Sequence, residues 1–381
     1  MKKTKRFLGL FLAVLSAFSI IACAKPGPII LKNVSTTAKN VILMIGDGMG
    51  PVQIKAGEIF KGSKLVMQNF PYKTTVETRS NSDEITDSAA AATAMATGVR
   101  TTNGVIGKNP DLEDLETIID IAHGLGKRTG VIATEELYGA TPMGFSAHCD
   151  SRAEREDLLT SAANSSNVNL FASYGIGITY QNILTSAGYE MIYNVDNLSS
   201  STADKVFGGF LIDATVPSMS ASRKVAFDRV VTEALEYLSK DEDGFFLMAE
   251  GSHIDHGGHN NDICYMLEEL LAFDDAINAV LKWASGRNDT VVIVLADHET
   301  GGLWLDPSIT REDILEIYEY PDLDLGRNEL YGWTTAGHTS TDINCYINGA
   351  DIDFSKYSFG LDSRIKNTDV FEIMKYLLKG E

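Results

Sequence analysis

Apolar residues in this chain gather into short unbroken runs, and three of those runs stop on an acid. Val41-Ile42-Leu43-Met44-Ile45-Gly46 runs into Asp47, Phe245-Phe246-Leu247-Met248-Ala249 into Glu250, and Val291-Val292-Ile293-Val294-Leu295-Ala296 into Asp297-His298. Runs of this length without polar alternation read as strands covered on both faces, as in a parallel sheet. In open α/β sheets the ligand site lies beyond the carboxyl ends of the strands. Three strand ends that deliver acids can therefore meet at one place. Carboxylates packed together repel one another and become stable when cations sit between them.

Helix-period segments separate the runs. A Gly-rich turn, Gly48-Met49-Gly50-Pro51, opens one helix. An Ala-rich helix is expected over 88–97, with Gly98 as its C-cap. Further helices are expected over 114–125, 151–164, 221–240, 262–285 and 369–378, and a strand over 129–134. The part from 165 to 220, rich in Ser, Gly, Tyr and Asn, carries no clear period. Alternation of this kind predicts an α/β fold: a mostly parallel central sheet with helices on both faces.

The first 23 residues read differently. Lys2, Lys3, Lys5 and Arg6 precede an apolar stretch from Phe7 to Ile21, shorter than a comfortable membrane span. It ends Ile20-Ile21-Ala22-Cys23, which resembles a bacterial lipobox, so residues 1–23 are expected to be a lipoprotein signal peptide with Cys23 as the lipid-bearing residue. Residues 24–39, with Pro26, Gly27 and Pro28, read as a flexible tether. About 340 residues from 40 to 381 remain, ample for one large domain. The expected location is outside the bacterial cytoplasmic membrane, at its periplasmic face or at the cell surface.

The chain has 32 basic and 52 acidic side chains and a formal charge of −20, and the first 23 residues hold four of the basic groups and no acid. That balance argues against nucleic acid as a specific partner. Beyond Cys23 there are three scattered thiols, Cys149, Cys264 and Cys345, with no CxxC spacing. Neither a disulfide framework nor Cys-ligated zinc is indicated.

Five of the seven histidines fall between 253 and 338: His253, His256, His259, His298 and His338. In Asp255-His256-Gly257-Gly258-His259 the two glycines argue against a regular helix, so a metal-wrapping loop is expected there. Zinc accepts imidazole nitrogens and carboxylate oxygens. Asp255, His259 and His338 would make one three-ligand site; Asp47, Asp297 and His298 would make a second. A surface metal-scavenging patch would account for the His-rich segment but not for the strand-end acids. Ser88 opens the Ala-rich helix, where a serine commonly serves as an N-cap. The same place suits a nucleophile, because a helix N-terminus favours an anion.

These stretches together resemble alkaline phosphatases, metal-dependent phosphomonoesterases. The matching segments are 41–51 (VILMIGDGMGP), 86–98 (TDSAAAATAMATG), 101–107 (TTNGVIG), 140–152 (ATPMGFSAHCDSR), 250–259 (EGSHIDHGGH), 296–299 (ADHE) and 337–339 (GHT), in the family's order. The resemblance implies broad-specificity monoester hydrolysis through a phosphoserine at Ser88, with Arg152 gripping phosphate oxygens and Asp87 orienting it. It implies one Zn2+ on Asp255, His259 and His338 and a second on Asp47, Asp297 and His298. It implies a third divalent cation, usually Mg2+, on Asp47, Thr141 and Glu250. Three divalent cations and Arg152, set against Asp47, Glu250, Asp255, Asp297 and a Ser88 alkoxide, leave two positive charges for a monoester dianion. Phosphate scavenging and a homodimer are further expectations from the family.

The sequence departs from the family at the third metal. One bacterial branch has an acid at the position of Gly139, and the animal enzymes have a His. Glycine supplies no ligand, so the third metal is expected to bind weakly or to differ from magnesium. His256, which is Lys in that bacterial branch, is a candidate outer contact to metal or phosphate. The interval from Asp297 to His338 leaves no room for a large crown insertion. Rival readings are a superfamily phosphodiesterase or sulfatase and a non-catalytic metal- or phosphate-binding lipoprotein; the pairing of Ser88 with Arg152 and the zinc ligands speaks against both.

Overall fold

The computed structural model describes residues 27–165, 167–175, 178–210, 225–321, 329–356 and 364–380. The expected signal segment with Cys23 lies outside them, as do residues 221–224 of the expected 221–240 helix. Among the described residues, no helix is long and apolar enough to cross a membrane.

A ten-stranded sheet forms the centre. Its strands are β1 (Asn40–Gly46), β2 (Tyr72–Glu77), β3 (Arg128–Glu136), β4 (Leu170–Gly175), β5 (Glu190–Ile192), β6 (Val206–Gly209), β7 (Phe245–Gly251) and β8 (Thr290–Leu295), with β13 (Ile343–Asn348) and β14 (Ile365–Lys366). Four short strands stand apart: β9 (Glu299–Thr300) pairs with β12 (His338–Thr339), and β10 (Leu303–Leu305) pairs with β11 (Tyr331–Trp333). The order in the large sheet is β14-β2-β13-β8-β1-β7-β3-β4-β6-β5. Only β13 runs antiparallel to its neighbours. The expected mostly parallel α/β sheet is therefore what forms.

The three acid-terminated runs are three adjacent strands, β8-β1-β7. Every residue of each is buried, which is why they carry no polar alternation. Their register puts Ile45 of β1 opposite both Glu250 and Leu295. Asp47 and Asp297 each follow two residues after that level, so they leave the sheet side by side.

Helices cover both faces. Pro51–Lys61, Phe227–Leu238 and Ile263–Ala284 pack together on one side; Ser88–Thr97, Ile118–Gly124, Ala140–Ser146 and Asn367–Lys379 pack on the other. Several helices are shorter than their sequence patterns. The expected 114–125 helix starts only at Ile118, because Thr117 and Asp120 form a capping box. The 151–164 helix runs Arg155–Asn164. The expected 24–39 tether is, in its described part, laid on the domain: Leu31 and Ala38 are buried, Val34 N–H donates to Gly349 O and Ala38 N–H to Leu377 O.

The segment 255–259, expected as a loop, instead belongs to a short α-helix, His253–His259. Its two glycines allow close packing. A Cβ on Gly257 would lie 2.6 Å from the Met266 backbone, and one on Gly258 would lie 2.8 Å from Thr300 O. Tertiary packing outweighs a helix propensity penalty of about 1 kcal/mol per glycine.

The Ser88–Thr97 helix is buried on every side, and its alanines let neighbours approach. A Cβ on Gly144 would sit 2.5 Å from the Ala92 Cβ. Gly144→Leu should wedge this helix from the Ala140–Ser146 helix and cost about 1–3 kcal/mol by overpacking. Chemical denaturation would measure it; unchanged stability would mean the helices separate freely.

Candidate active site

Asp47, Glu250 and Asp297 meet at the carboxyl end of the sheet, as their strands require. Gly48 turns the chain after β1 with a φ of 70°, a left-handed conformation that favours glycine. A Cβ there would also lie 2.7 Å from the Asp255 Cα. Gly48 N–H and His298 N–H both donate to Asp297 Oδ1, at 3.2 and 2.9 Å. The other Asp297 oxygen, Asp47 Oδ1 and both Glu250 oxygens are buried without a hydrogen-bond partner of acceptable geometry. Thr141 Oγ1, at the start of the Ala140–Ser146 helix, is in the same condition.

Burial, and then the mutual repulsion of the carboxylates, pushes Asp47 well above the usual carboxylate range. Glu250 is raised in the same way, and Asp297 is raised to about 6. Asp255 goes the other way. Burial would raise it, but the hydrogen bond from His259 and the nearby imidazoles hold it below its ordinary value. His259 is raised to about 9, chiefly by its hydrogen bond to Asp255. Burial pushes the deeply enclosed His298 well below its ordinary value.

Two ligand clusters emerge. Donor atoms of Asp47, Asp297 and His298 lie within 4.8 Å of one another, as do those of Asp255, His298 and His338. His259 joins the second cluster, its Nε2 3.3 Å from Asp255 Oδ2 and 3.2 Å from His338 Nε2. Both outer histidines are oriented from behind: His259 Nδ1 is 2.6 Å from Ala336 O and His338 Nδ1 is 2.9 Å from Thr86 O. Donation to those carbonyls leaves each Nε2 lone pair free for a cation. The Thr300 hydroxyl donates to Asp255 and lies 3.2 Å from His298 Nδ1, linking the clusters.

Ser88 Oγ faces them, 3.2 Å from His298 Nε2. Ser88 is the first helical residue rather than the cap; the N-cap is Asp87, whose Oδ1 accepts from Ala90 N–H. The other Asp87 oxygen accepts from Gly104 N–H and from Arg152 Nη1, each at 3.0 Å. Arg152 N–H in turn donates to Gly104 O at 2.8 Å. The 101–107 loop thus clamps the arginine and its orienting acid together. His256 lies with its ring edge-on to His253, centroids 4.3 Å apart, and His253 Nδ1 is 2.7 Å from the Tyr265 hydroxyl.

Two acids were missed by sequence reasoning. Glu299 accepts from Gln53, Gly302 N–H and Thr339, and so ties the Asp297-His298 loop to the strand carrying His338. Glu135 ends the run Thr129 to Thr134, a fourth strand that stops on an acid. A strand of three apolar residues between threonines and a glycine was too weakly apolar to stand with the others. Its carboxylate occupies the space beside Gly139, where the sequence had left a gap.

Comparison with known proteins agrees with this geometry. The alkaline phosphatase family model matches residues 38–208 and 167–314. Alkaline phosphatase 3 of Bacillus subtilis is 27% identical over 422 residues, spanning 90% of each chain. Escherichia coli alkaline phosphatase is 32% identical over 330 residues, 68% of this chain and 70% of that one. Among solved structures, a mutant of TAB5 alkaline phosphatase with a histidine changed to glutamate and magnesium in its M3 site has 30% identity and a TM-score of 0.76, covering 90% of this chain and 99% of its own. This chain belongs to the alkaline phosphatase family and is a metal-binding phosphatase that hydrolyses phosphate monoesters.

Proposed function

We propose that hydrolysis proceeds through a phosphoserine on Ser88, in a centre of two zinc ions and a third divalent cation. The observation that carries this reading is Ser88 Oγ 3.2 Å from His298 Nε2, at the first turn of a helix whose start also holds the Arg152–Asp87 pair. The donor sets fit the metals: imidazole nitrogens with carboxylates suit zinc, and Asp47, Glu250, Asp297 and Thr141 each keep a buried oxygen that no hydrogen bond satisfies. Asp255, His259 and His338 would hold one zinc, Asp47, Asp297 and His298 the other, and Asp47, Thr141 and Glu250 the third ion. When bound, these cations supply charge for the ionised Ser88 oxygen and for the entering and leaving oxygens.

The protein groups do the rest. Arg152, half-exposed and held by Asp87, presents its planar fork to two phosphoryl oxygens. Ser88 Oγ attacks phosphorus as the bond to the substrate alcohol breaks. Water then attacks the same phosphorus, freeing Ser88 and releasing inorganic phosphate. The helix N-terminus favours the anion at Ser88 throughout. The physiological role is phosphate scavenging by an exported enzyme anchored through lipid on Cys23.

Ser88→Ala is expected to abolish the phosphoenzyme and nearly all turnover while metal content stays that of the native protein. Brief incubation with labelled phosphate at acidic pH followed by peptide mapping measures this; label on any other residue would sink the assignment.

Metal removal has a signed pH consequence. In the folded, metal-free protein the carboxylates of Asp297 and Glu135 are raised to about 6 and about 8 by burial. In the unfolded chain both ionise near pH 4. Their folded forms bind protons first as pH falls, so the stripped protein should gain stability from about pH 9 down to about pH 7 through Glu135, with Asp297 adding its part only below about pH 7. His259, raised to about 9, acts in the same direction. Thermal melts of stripped and reloaded protein across that range test it; a stripped protein that loses stability over this descent would contradict the electrostatics.

Cys23→Ser should prevent acylation and move the protein out of the membrane fraction unless the uncleaved signal retains it. Fatty-acid analysis of the native protein decides; normal processing with no lipid attached would leave an ordinary signal peptide.

A further inference from the structure

The third metal position has an unexplained resident. Gly139 has φ −55° and ψ 153°, angles that any residue adopts, so its backbone does not call for glycine. Space does. A Cβ there would collide with Glu135 Oε1 and lie 2.6 Å from Glu135 Cδ. The carboxylate of Glu135 thus fills the volume that a side chain at 139 would occupy.

Three observations aim this carboxylate at the third site. First, β3 loses register with β4 between Ala133 and Glu136: three steps on β3 match two on β4, from Ser173 to Gly175. A bulge of this kind re-aims a side chain and is common beside active sites. Thr134 is held on the other flank, where its Oγ1 accepts from Ser252 N–H at 2.8 Å. Second, Ala133 lies opposite Glu250 in the β3–β7 register, so Glu135 emerges just beyond Glu250. After burial, its charge is the strongest influence on Glu250, and it is felt at Asp47 as well. Third, Glu250 and Thr141 are at most 1% exposed and Asp47 5%, and each keeps a buried oxygen that no hydrogen bond satisfies. Carboxylates brought this close together repel one another unless a cation or protons sit between them.

We infer that Glu135 is a ligand of the third metal, directly or through one bound water, and that it replaces the missing side chain at Gly139. The donor set becomes Asp47, Thr141, Glu250 and Glu135, all oxygen. Such a set selects a hard octahedral cation of the magnesium class over zinc or cobalt. The weak third site expected from Gly139 is therefore reversed, and His256 is not needed as a nitrogen donor. Glu135 also adds a negative charge that the sequence-level balance omitted.

This inference rests on the assignment of Asp47, Thr141 and Glu250 to the third site, and the experiment separates the two. Zinc-reloaded holoenzyme, freed of magnesium, is titrated with MgCl2 by calorimetry, with zinc content and thermal stability measured on the same samples. The proteins are native, Glu135→Gln, Glu135→Ala, Glu250→Gln and the double variant Glu135→Ala/Gly139→Asp. Expected are one magnesium site in the native protein, at least about tenfold weaker binding in both Glu135 variants with two zincs retained, and recovery in the double variant. Gly139→Asp alone should bring no gain, because its side chain meets Glu135. Loss of magnesium in Glu250→Gln with native affinity in both Glu135 variants would overturn the role of Glu135 and keep the site. Native affinity in Glu250→Gln as well would overturn the site itself. Unchanged magnesium binding with weakened inorganic phosphate binding in the Glu135 variants would assign Glu135 to Arg152 instead and reject the inference.

Discussion

The structure turns on the repulsion between carboxylates buried at one end of a parallel sheet. Four neighbouring strands, β8-β1-β7-β3, deliver Asp297, Asp47, Glu250 and Glu135 to that end. Hydrophobic burial of the strands forces the acids together, since each strand is committed along its whole length. Hydrogen bonds satisfy only part of them: one oxygen of Asp297 has donors, while both oxygens of Glu250 have none. Divalent cations stabilise such an arrangement with the acids ionised; without them the carboxylates hold protons instead. The fold thereby creates a need for metal before any reaction takes place.

Around that charge the protein is stiffened by backbone contacts. Carbonyls of Thr86 and Ala336 orient two imidazoles, and the Thr300 hydroxyl joins Asp255 to His298. The short β9–β12 pair places His338 opposite Thr300, and Glu299 ties that pair to Gln53 at the start of the first helix. Displacing one ligand would move the others. The alanine-rich Ser88 helix then brings a serine hydroxyl and a positive helix end to the centre, because small side chains allow it to be enclosed on all sides.

Much of this was legible in the residues. Unbroken apolar runs revealed the central strands, and acids at their ends revealed the direction in which the site lies. The 262–285 and 369–378 helices were visible from period alone and form within a residue or two of those limits, with Asp262 capping the first. Local propensity misled at 255–259, where packing against Met266 and Thr300 makes two glycines fit a helix. It misled again at Ser88, where the cap is the preceding aspartate. Glu135 went unseen because its strand is short of large apolar residues.

The sequence by itself determined the central strands, the end of the sheet at which acids gather and the residue types found there, since these follow from side-chain chemistry and from patterns a few residues long. Tertiary structure alone decided which acids share a site. The bulge in β3, the approach of Gly139 to Glu135 and the pairing that carries His338 to His298 all depend on contacts between distant segments. Periodicity carries no information about such contacts, because it reports which face of an element is buried and never what that face meets.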